Sequence, residues 1–413
     1  MTPEIDQSWL GAQLDALGAI SSELPPAVTR VVFSEADLRA REFVKGLCRE
    51  AGLQVREDAA GNTFARWRGT EPDLPAVATG SHTDAISNAG RFDGTVGVLG
   101  ALEAMRALAR SGFRPRRGIE LIVFTSEEPT GFGVGCLGSR LISGALDASA
   151  GATLRDRDGL TLDEVRAAAG FRGSLAGVRL PAAYYSAFVE LHIEQGPLLE
   201  RQGIPVGVVT AIAAPASARL RVEGEGGHAG AVLMPQRRDA FLAAAEIALA
   251  VERAALATAS SDTVATTGVC RVFPGAINSI PSRVELEIDI RDIEGARRDA
   301  VLAQVQAQSA EICARRGVRP EWEVLNADPP ARCDPEVVSV LRTAAAERRL
   351  PCIEMISRAY HDSLFMARIA PSAMLFIPCR GGVSHRPDEY AAPRAIADGA
   401  AVLATALAEL SMR

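Results

Sequence analysis

The fold is decided between residues 74 and 129, LPAVATGSHTDAISNAGRFDGTVGVLGALEAMRALARSGFRPRRGIELIVFTSEEP. The stretch opens on a short apolar run, LPAVATG (74–80), and returns to another, IELIVFT (119–125). Between them GVLGALEAMRALARSG (97–112) places Val98, Leu99, Leu102, Met105 and Leu108 on one helical face. Strand, helix, strand with buried-type strands reads as part of a parallel or mixed α/β sheet. Each run ends in a chemically dense string: GSHTD, with His82 and Asp84, and SEEP, with Glu127 and Glu128. Open α/β sheets place their sites at those strand ends.

Working outward, AFVELHI (187–193) and AMLFIP (373–378) have the same apolar character, and His192 and His385 lie at or just beyond their C-terminal ends. Upstream, residues 8–20 and 34–51 carry helical spacing, the second helix closing at Gly52. Residues 209–327 read differently. A strand (218–225), a helix (237–256), two strands (263–273 and 283–292), a helix (296–316) and a last strand (321–327) give the β-α-β-β-α-β order of a split-βαβ unit. The candidate ligands straddle this block, so it is an insertion. The predicted organisation is a catalytic α/β domain, 1–208 and 328–413, with a central mixed sheet and a strand-end dinuclear metal site. It is interrupted by a ferredoxin-like α+β dimerisation (lid) domain at 209–327. Free edge strands in that insertion predict a two-fold homodimer.

At 413 residues the chain exceeds what one core usually organises, and 48% hydrophobic with 23% charged residues is ordinary for a globular protein. A net charge of -7 without a Lys/Arg stripe argues against a nucleic-acid partner. Seven cysteines, odd in number and never in CxxC, favour reduced thiols and a cytoplasmic protein. No targeting segment and no run of about 18 apolar residues is legible, so no membrane association is expected.

All five histidines sit in short strings: His82 in GSHTD, His192 in ELHIEQGP, His228 in GGHAG, His361 in AYHDS and His385 in GVSHRPDEY. Three of them at strand ends, beside carboxylates also at strand ends, supply what a two-metal hydrolytic site needs. Asp93, between glycines in GRFDGTVG, suits the bridge. Glu128 suits a terminal position on one ion and His192 on the other, with His82 and His385 completing the pair. Asp84 is placed to accept the second imidazole N–H of His82. Glu127 and Glu128, adjacent in an extended or turning backbone, point in different directions. One can bind metal while the other takes a proton from a metal-bound water and delivers it to a leaving nitrogen. Oxygen and nitrogen donors without thiolate accommodate Zn2+, Mn2+, Co2+ or Ni2+. A serine hydrolase would want a G-x-S-x-G elbow, and none occurs. A Cys379–His385 nucleophile leaves the acidic residues without a task.

GSHTD, GRFDGTVGVLGALEA, FTSEEPT, LHIEQGP, GGHAGAVLMP, GAINSIP and SHRPDEY, in this order over about residues 75–413, together resemble the M20 metallohydrolase superfamily in its amidase/hydantoinase/carbamoylase branch. The resemblance implies that His82, Asp93 and His192 hold one ion and Asp93, Glu128 and His385 the other, two divalent ions per subunit with Asp93 bridging and Mn2+ favoured. It implies Glu127 as general base, and Gln195, His228, Asn278, Arg291, Tyr360 and His361 as substrate contacts. An Arg with a nearby amide, as Arg291 with Asn278, suits a substrate carboxylate. Relatives are dimers, which would bring His228 and Asn278 to the partner's metal centre, His228 donating to the carbonyl oxygen under attack.

Within the branch, VGVVTAIAAPAS, GAINSIPSRVELEIDIRDI and MISRAYHDSLFMARIAPSAMLFIPC are similar to members that hydrolyse ureidoglycolate. Carbamoylases and allantoate amidohydrolases usually carry Gly where this chain has Tyr360. The implied reaction is hydrolysis of the ureido C–N bond of (S)-ureidoglycolate, a small carboxylate-bearing ureide, to glyoxylate, ammonia and CO2. The alternatives are N-carbamoyl-L-amino-acid hydrolase and allantoate amidohydrolase. One departure is Gly131, where related sequences usually have Arg after EEPT.

Overall fold

A computed structural model describes residues 3–413, and these fall into two compact units. One runs up to Thr210 and resumes at Arg332–Arg413; the other is Ala211–Ala331.

The first unit is built on the mixed sheet that the apolar runs predict. Its strands lie in the order Ala331–Arg332, Val206–Ile212, Ser372–Ile377, Tyr185–Ile193, Ala76–His82, Ile119–Phe124, Thr63–Trp67, Gln54–Glu57, with Cys352–Ser357 paired to Val206–Ile212. The four runs singled out in the sequence are the four central strands, mutually parallel, so their C-terminal ends converge on one edge. Every residue of Ala76–His82, Ile119–Phe124 and Ser372–Ile377 is buried, which is why these strands read as continuous rather than alternating. Val206–Ile212, Thr63–Trp67 and Gln54–Glu57 join the sheet antiparallel.

Helix Thr95–Arg110 packs on this sheet through Val98, Leu99, Leu102, Met105 and Leu108, all buried. It starts at Gly94, whose φ of 66° and whose closeness to His82 both demand glycine: a Cβ there would lie 2.5 Å from the His82 Nε2. The predicted N-terminal helices appear as Gln7–Gly18 and Glu35–Glu50, capped by the side chains of Asp6 and Ser34. Gly52, past the second, takes the left-handed conformation at φ 76°. Helix Pro393–Met412 is long and apolar enough to cross a membrane, at a mean hydropathy of 1.4. It is a core helix instead, packing Ile396, Val402, Leu403 and Leu407 against the sheet and the neighbouring helices.

The sequence reading passes over two long helices, Pro335–Glu347 and Pro393–Met412, and several short elements. Val28–Arg30 pairs with Ala85–Ala89, and Leu137–Ser143, Ala148–Ala152 and Leu162–Ala168 are helices of five to seven residues, below the length at which periodicity is visible.

The second unit is a four-stranded antiparallel sheet in the order Val264–Phe273, Arg283–Asp292, Ala214–Glu223, Arg319–Ala327. Helices Ala240–Ala257 and Gly295–Arg316 bury Ile247, Val251, Val301 and Val305 on it. Arg283–Asp292 alternates strictly, with Val284, Leu286, Ile288 and Ile290 inward. The first strand begins at Ala214 rather than at 218, because the small residues of APASA carry no hydrophobic alternation. A two-residue ladder, Gly227–His228 with Ser279–Ile280, closes two loops together.

Candidate active site

Four strand ends of the first unit supply the convergent groups. His82 is the last residue of its strand, His192 the penultimate residue of its own, and Glu127 and Glu128 follow Phe124 by a tight loop. His385 follows Ile377 beyond a short 3-10 turn, and Asp93 precedes helix Thr95–Arg110. Asp93 divides its carboxylate between two groups of imidazoles. Oδ1 lies 3.5 Å from the His82 Nε2 and 3.2 Å from the His192 Nε2. Oδ2 lies 3.4 Å from the His385 Nε2, which is itself 3.2 Å from the Glu128 Oε1. Ligand atoms of His82, Asp93 and His192 thus form one compact group, and those of Asp93, Glu128 and His385 another.

The tautomers sharpen this arrangement. The His192 Nδ1 sits 2.9 Å from the Ile193 carbonyl, and its Nε2 accepts from the Gly94 N–H at 3.1 Å. The His82 Nδ1 sits 3.1 Å from the Asp84 carbonyl. In the neutral tautomer that donates from Nδ1 to the backbone, the His82 Nε2 turns its lone pair toward Asp93, and the His192 Nε2 lone pair lies between the Gly94 N–H and the Asp93 carboxylate. Lone pair against carboxylate at this separation requires a positive charge between them. Divalent cations fit that requirement, and the nitrogen and oxygen donors suit them. Without a cation, protons take the place. Burial opposes protonation of His82, yet Glu127 and Asp93 draw it well above the usual imidazole value, and hydrogen bonds to Asp93 and Glu128 lift His385 to about 11. Burial likewise works against the Asp93 anion, but its contacts to His192, His385 and His82 hold it well below the ordinary carboxylate range.

Asp84 corrects the sequence reading. Its carboxylate is 3.7 Å from the His82 Nδ1, too far to accept, and the ring turns to the Asp84 backbone carbonyl. The carboxylate accepts instead from the backbone N–H groups of Glu127 at 3.2 Å and Glu128 at 3.0 Å. It fixes the turn that points the two glutamates apart. Burial lifts it to about 6.

Glu127 is buried, its Oε2 3.7 Å from the His82 Nε2 and its Oε1 3.5 Å from the Cys136 thiol. Burial first, then Glu128 and Asp362, pushes its carboxyl well above the ordinary range despite the opposing effect of His82. A proton-transfer group poised in this way is what general acid–base catalysis near neutral pH uses.

The structure adds groups that the sequence reading left out. Glu389 is buried and accepts from the N–H groups of Phe92 at 2.8 Å and Asp93 at 3.1 Å, while Ser384 donates to the Asp93 Oδ2 at 2.6 Å. Burial and the neighbouring Asp93 lift Glu389 to about 7. Its string, SHRPDEY, was already marked by His385, but nothing local says that the glutamate turns inward. Behind His192, the buried Glu190 accepts from Ser81 at 2.7 Å and from the Ser363 hydroxyl at 2.6 Å.

The expected substrate contacts divide by unit. In the first, the Gln195 amide donates to the Asp93 Oδ2 at 2.7 Å. His361 is buried against His192, ring centroids 4.7 Å apart, with its Nε2 2.9 Å from the Ser357 hydroxyl. The Tyr360 hydroxyl accepts from Arg140 at 3.2 Å. Gly131 has no room for a side chain, since Val32 occupies the space where a Cβ would go. In the second unit His228 and Asn278 are exposed neighbours, the Ala229 N–H donating to the Asn278 carbonyl at 2.9 Å. The His228 Nδ1 accepts from the Gly230 N–H at 3.1 Å, which leaves the proton of the neutral ring on Nε2. Arg291, inside the central strand Arg283–Asp292, holds Asp289 at 2.7 Å.

These features define a hydrolase with a site fitted for metal, and the sequence profile of Peptidase family M20/M25/M40 matches residues 77–409. The chain belongs to that family and is an enzyme of the amidohydrolase type. It is 53% identical over 415 residues to ureidoglycolate hydrolase of Oryza sativa subsp. japonica, covering 99% of this chain and 86% of that one. It is similar to the crystal structure of AtUAH in complex with (S)-hydroxyglycine, with a TM-score of 0.91, 51% identity and 99% of both chains covered. An N-carbamoyl-L-amino acid amidohydrolase of Geobacillus stearothermophilus is 39% identical over 95% of this chain and 96% of its own.

Proposed function

We propose that the protein hydrolyses the ureido group of (S)-ureidoglycolate: attack of water on the ureido carbonyl breaks a C–N bond and releases ammonia, the carbamate left behind loses CO2, and the resulting hydroxyglycine gives glyoxylate and a second ammonia, one water being consumed overall. The observation that carries this is the likeness over nearly the whole chain to ureidoglycolate hydrolases, at an identity well above that to the carbamoyl amino-acid hydrolase. Tyr360, in place of glycine, supports the same choice. In this reading His82, Asp93 and His192 hold one divalent cation and Asp93, Glu128 and His385 a second, Asp93 serving both, with Mn2+ the favoured metal. Cations held there would supply Lewis acidity toward the ureido carbonyl and toward a bound water. The Glu127 Oε2 takes the proton from the attacking water and passes it to the departing nitrogen. Asp84 keeps Glu127 and Glu128 apart, while Glu389 and Ser384 hold Asp93 in register. Gln195, Tyr360 and His361 shape the pocket, and Arg291 with Asn278 clamps the carboxylate.

The protein functions in this proposal as a homodimer through residues 209–327. The sheet of the second unit ends on Val264–Phe273 and Arg319–Ala327, and Leu249 and Leu256 on helix Ala240–Ala257 are 54% and 73% exposed, apolar surface suited to a twin. His228 then donates from its Nε2 to the carbonyl oxygen of the partner's substrate. A cytoplasmic setting accords with seven free cysteines.

Steady-state ammonia release from ureidoglycolate, allantoate and N-carbamoyl amino acids tests the substrate. Turnover of a carbamoyl amino acid above that of ureidoglycolate overturns the assignment. Tyr360→Gly is expected to cut ureidoglycolate turnover more than carbamoyl-amino-acid turnover, because the ring fills space a larger α-substituent needs. Equal losses remove Tyr360 from specificity.

Chelation is expected to abolish activity and a divalent transition metal to restore it. With His385 held near 11 in the metal-free protein, its proton is present throughout the neutral range and has to leave when metal binds. Calorimetric titration of metal into the stripped protein, in buffers of different ionisation enthalpy, is therefore expected to register proton release, and affinity to rise with pH. Binding without proton release contradicts this.

A further inference from the structure

Cys136 is placed by neither the metal groups nor the substrate contacts, yet its thiol donates to the second oxygen of Glu127. It is fully buried, at the N-terminus of helix Leu137–Ser143, and its Sγ lies 3.5 Å from the Glu127 Oε1. Its own N–H donates to the Glu127 carbonyl at 2.7 Å, so backbone and side chain grip the same residue. The backbone there is left-handed, φ 55° and ψ 36°, a conformation in which glycine is at ease and a side chain is strained. Strained positions persist where the surroundings impose them. Behind it, the Ser139 hydroxyl lies 3.2 Å from the Cys136 carbonyl and 2.5 Å from the Asp362 Oδ1. Asp362 opens the short helix Asp362–Met366, which packs on Leu137–Ser143, so the cysteine is backed by a second element.

From this geometry we propose that Cys136 is a positioning residue for Glu127: its thiol donates to Oε1 and thereby holds Oε2 on the His82 side, where the water proton is taken. The inference rests on the reading of Glu127 as the proton-transfer group. Burial, with Glu127 and Asp362 nearby, pushes the thiol well above its usual value, so it remains a donor. The thiol proton stays on sulfur throughout. The two oxygens of the base thus differ in task, one anchored and one reactive.

The test compares Cys136→Gly, Cys136→Ala and Cys136→Ser with Glu127→Gln in the metal-loaded enzyme. Glycine suits the left-handed backbone, so Cys136→Gly is expected to fold with a thermal midpoint at or above that of the parent and with full metal content. Its kcat is expected to fall about ten- to a hundredfold with little change in KM, the effect of losing a hydrogen bond to a charged group that acts in the transition state. Cys136→Ala is expected to lose kcat similarly, and Cys136→Ser, which restores a donor, to recover most of it. The S–H stretching band assigned to Cys136 is expected to move to higher frequency in Glu127→Ala. Parental kcat in Cys136→Gly alongside an inactive Glu127→Gln overturns the positioning role, as does a loss of kcat that merely follows loss of metal. Activity retained in Glu127→Gln instead overturns the assignment of the base on which the inference stands.

Discussion

Glu127→Gln is expected to leave a protein that keeps its metal and does not turn over, whereas Glu128→Gln is expected to lose metal. The two residues are adjacent, yet Asp84 accepts from both of their N–H groups and splays the side chains: the Glu128 Oε1 faces His385 at 3.2 Å, the Glu127 Oε2 faces His82 at 3.7 Å. An amide at 127 keeps the shape and cannot take a proton, so the loss is that of general acid–base catalysis, about 10²- to 10⁴-fold. On the proposed ligand assignment, an amide at 128 would weaken one terminal ligand and with it the second cation. Elemental analysis beside kcat separates the two. Metal lost from the Glu127 variant and retained in the Glu128 variant would reverse the roles.

Mixed dimers give the second large effect. Glu127→Gln and His228→Ala are each expected to be nearly inactive as homodimers. If His228 acts on the partner's substrate, a mixed dimer carries both lesions at one site and none at the other. Random exchange makes about half of the dimers mixed, and half of their sites intact, so roughly a quarter of parental activity per site is expected to return. With Nδ1 accepting from the Gly230 N–H, a proton on the His228 ring sits on Nε2, where such a donor needs it. No recovery after verified exchange would place His228 in its own subunit's site.

The parts of the fold that could be read in the sequence are those where one periodicity dominates a segment. The four buried runs and helix Thr95–Arg110 carry enough consecutive apolar residues to declare themselves, and three histidines and two glutamates lie near the ends of the runs. Sheet order is another matter: nothing in AMLFIP says that it enters between Tyr185–Ile193 and Val206–Ile212. The miss at Asp84 has the same cause. Its true partners are backbone groups 43 and 44 positions away, and a carboxylate two residues from a histidine is a more visible candidate than two amides across a strand crossover. Glu389 and Cys136 were hidden because inward orientation is settled by packing between segments, not by local spacing. Gly131 was noticed as a departure, but only the position of Val32 explains it.

That threading of Ser372–Ile377 into the middle of the sheet has a consequence for how the protein is made. Until the ribosome has passed residue 377, the strands Tyr185–Ile193 and Val206–Ile212 each lack the neighbour that the finished sheet gives them, while residues 211–331 can already condense around their own core. The growing chain therefore carries a gap with two apolar, unpaired edges, the kind of surface that joins other chains. The same late segment brings Ser384, His385 and Glu389, so the proposed metal-binding groups are complete only when that gap is closed.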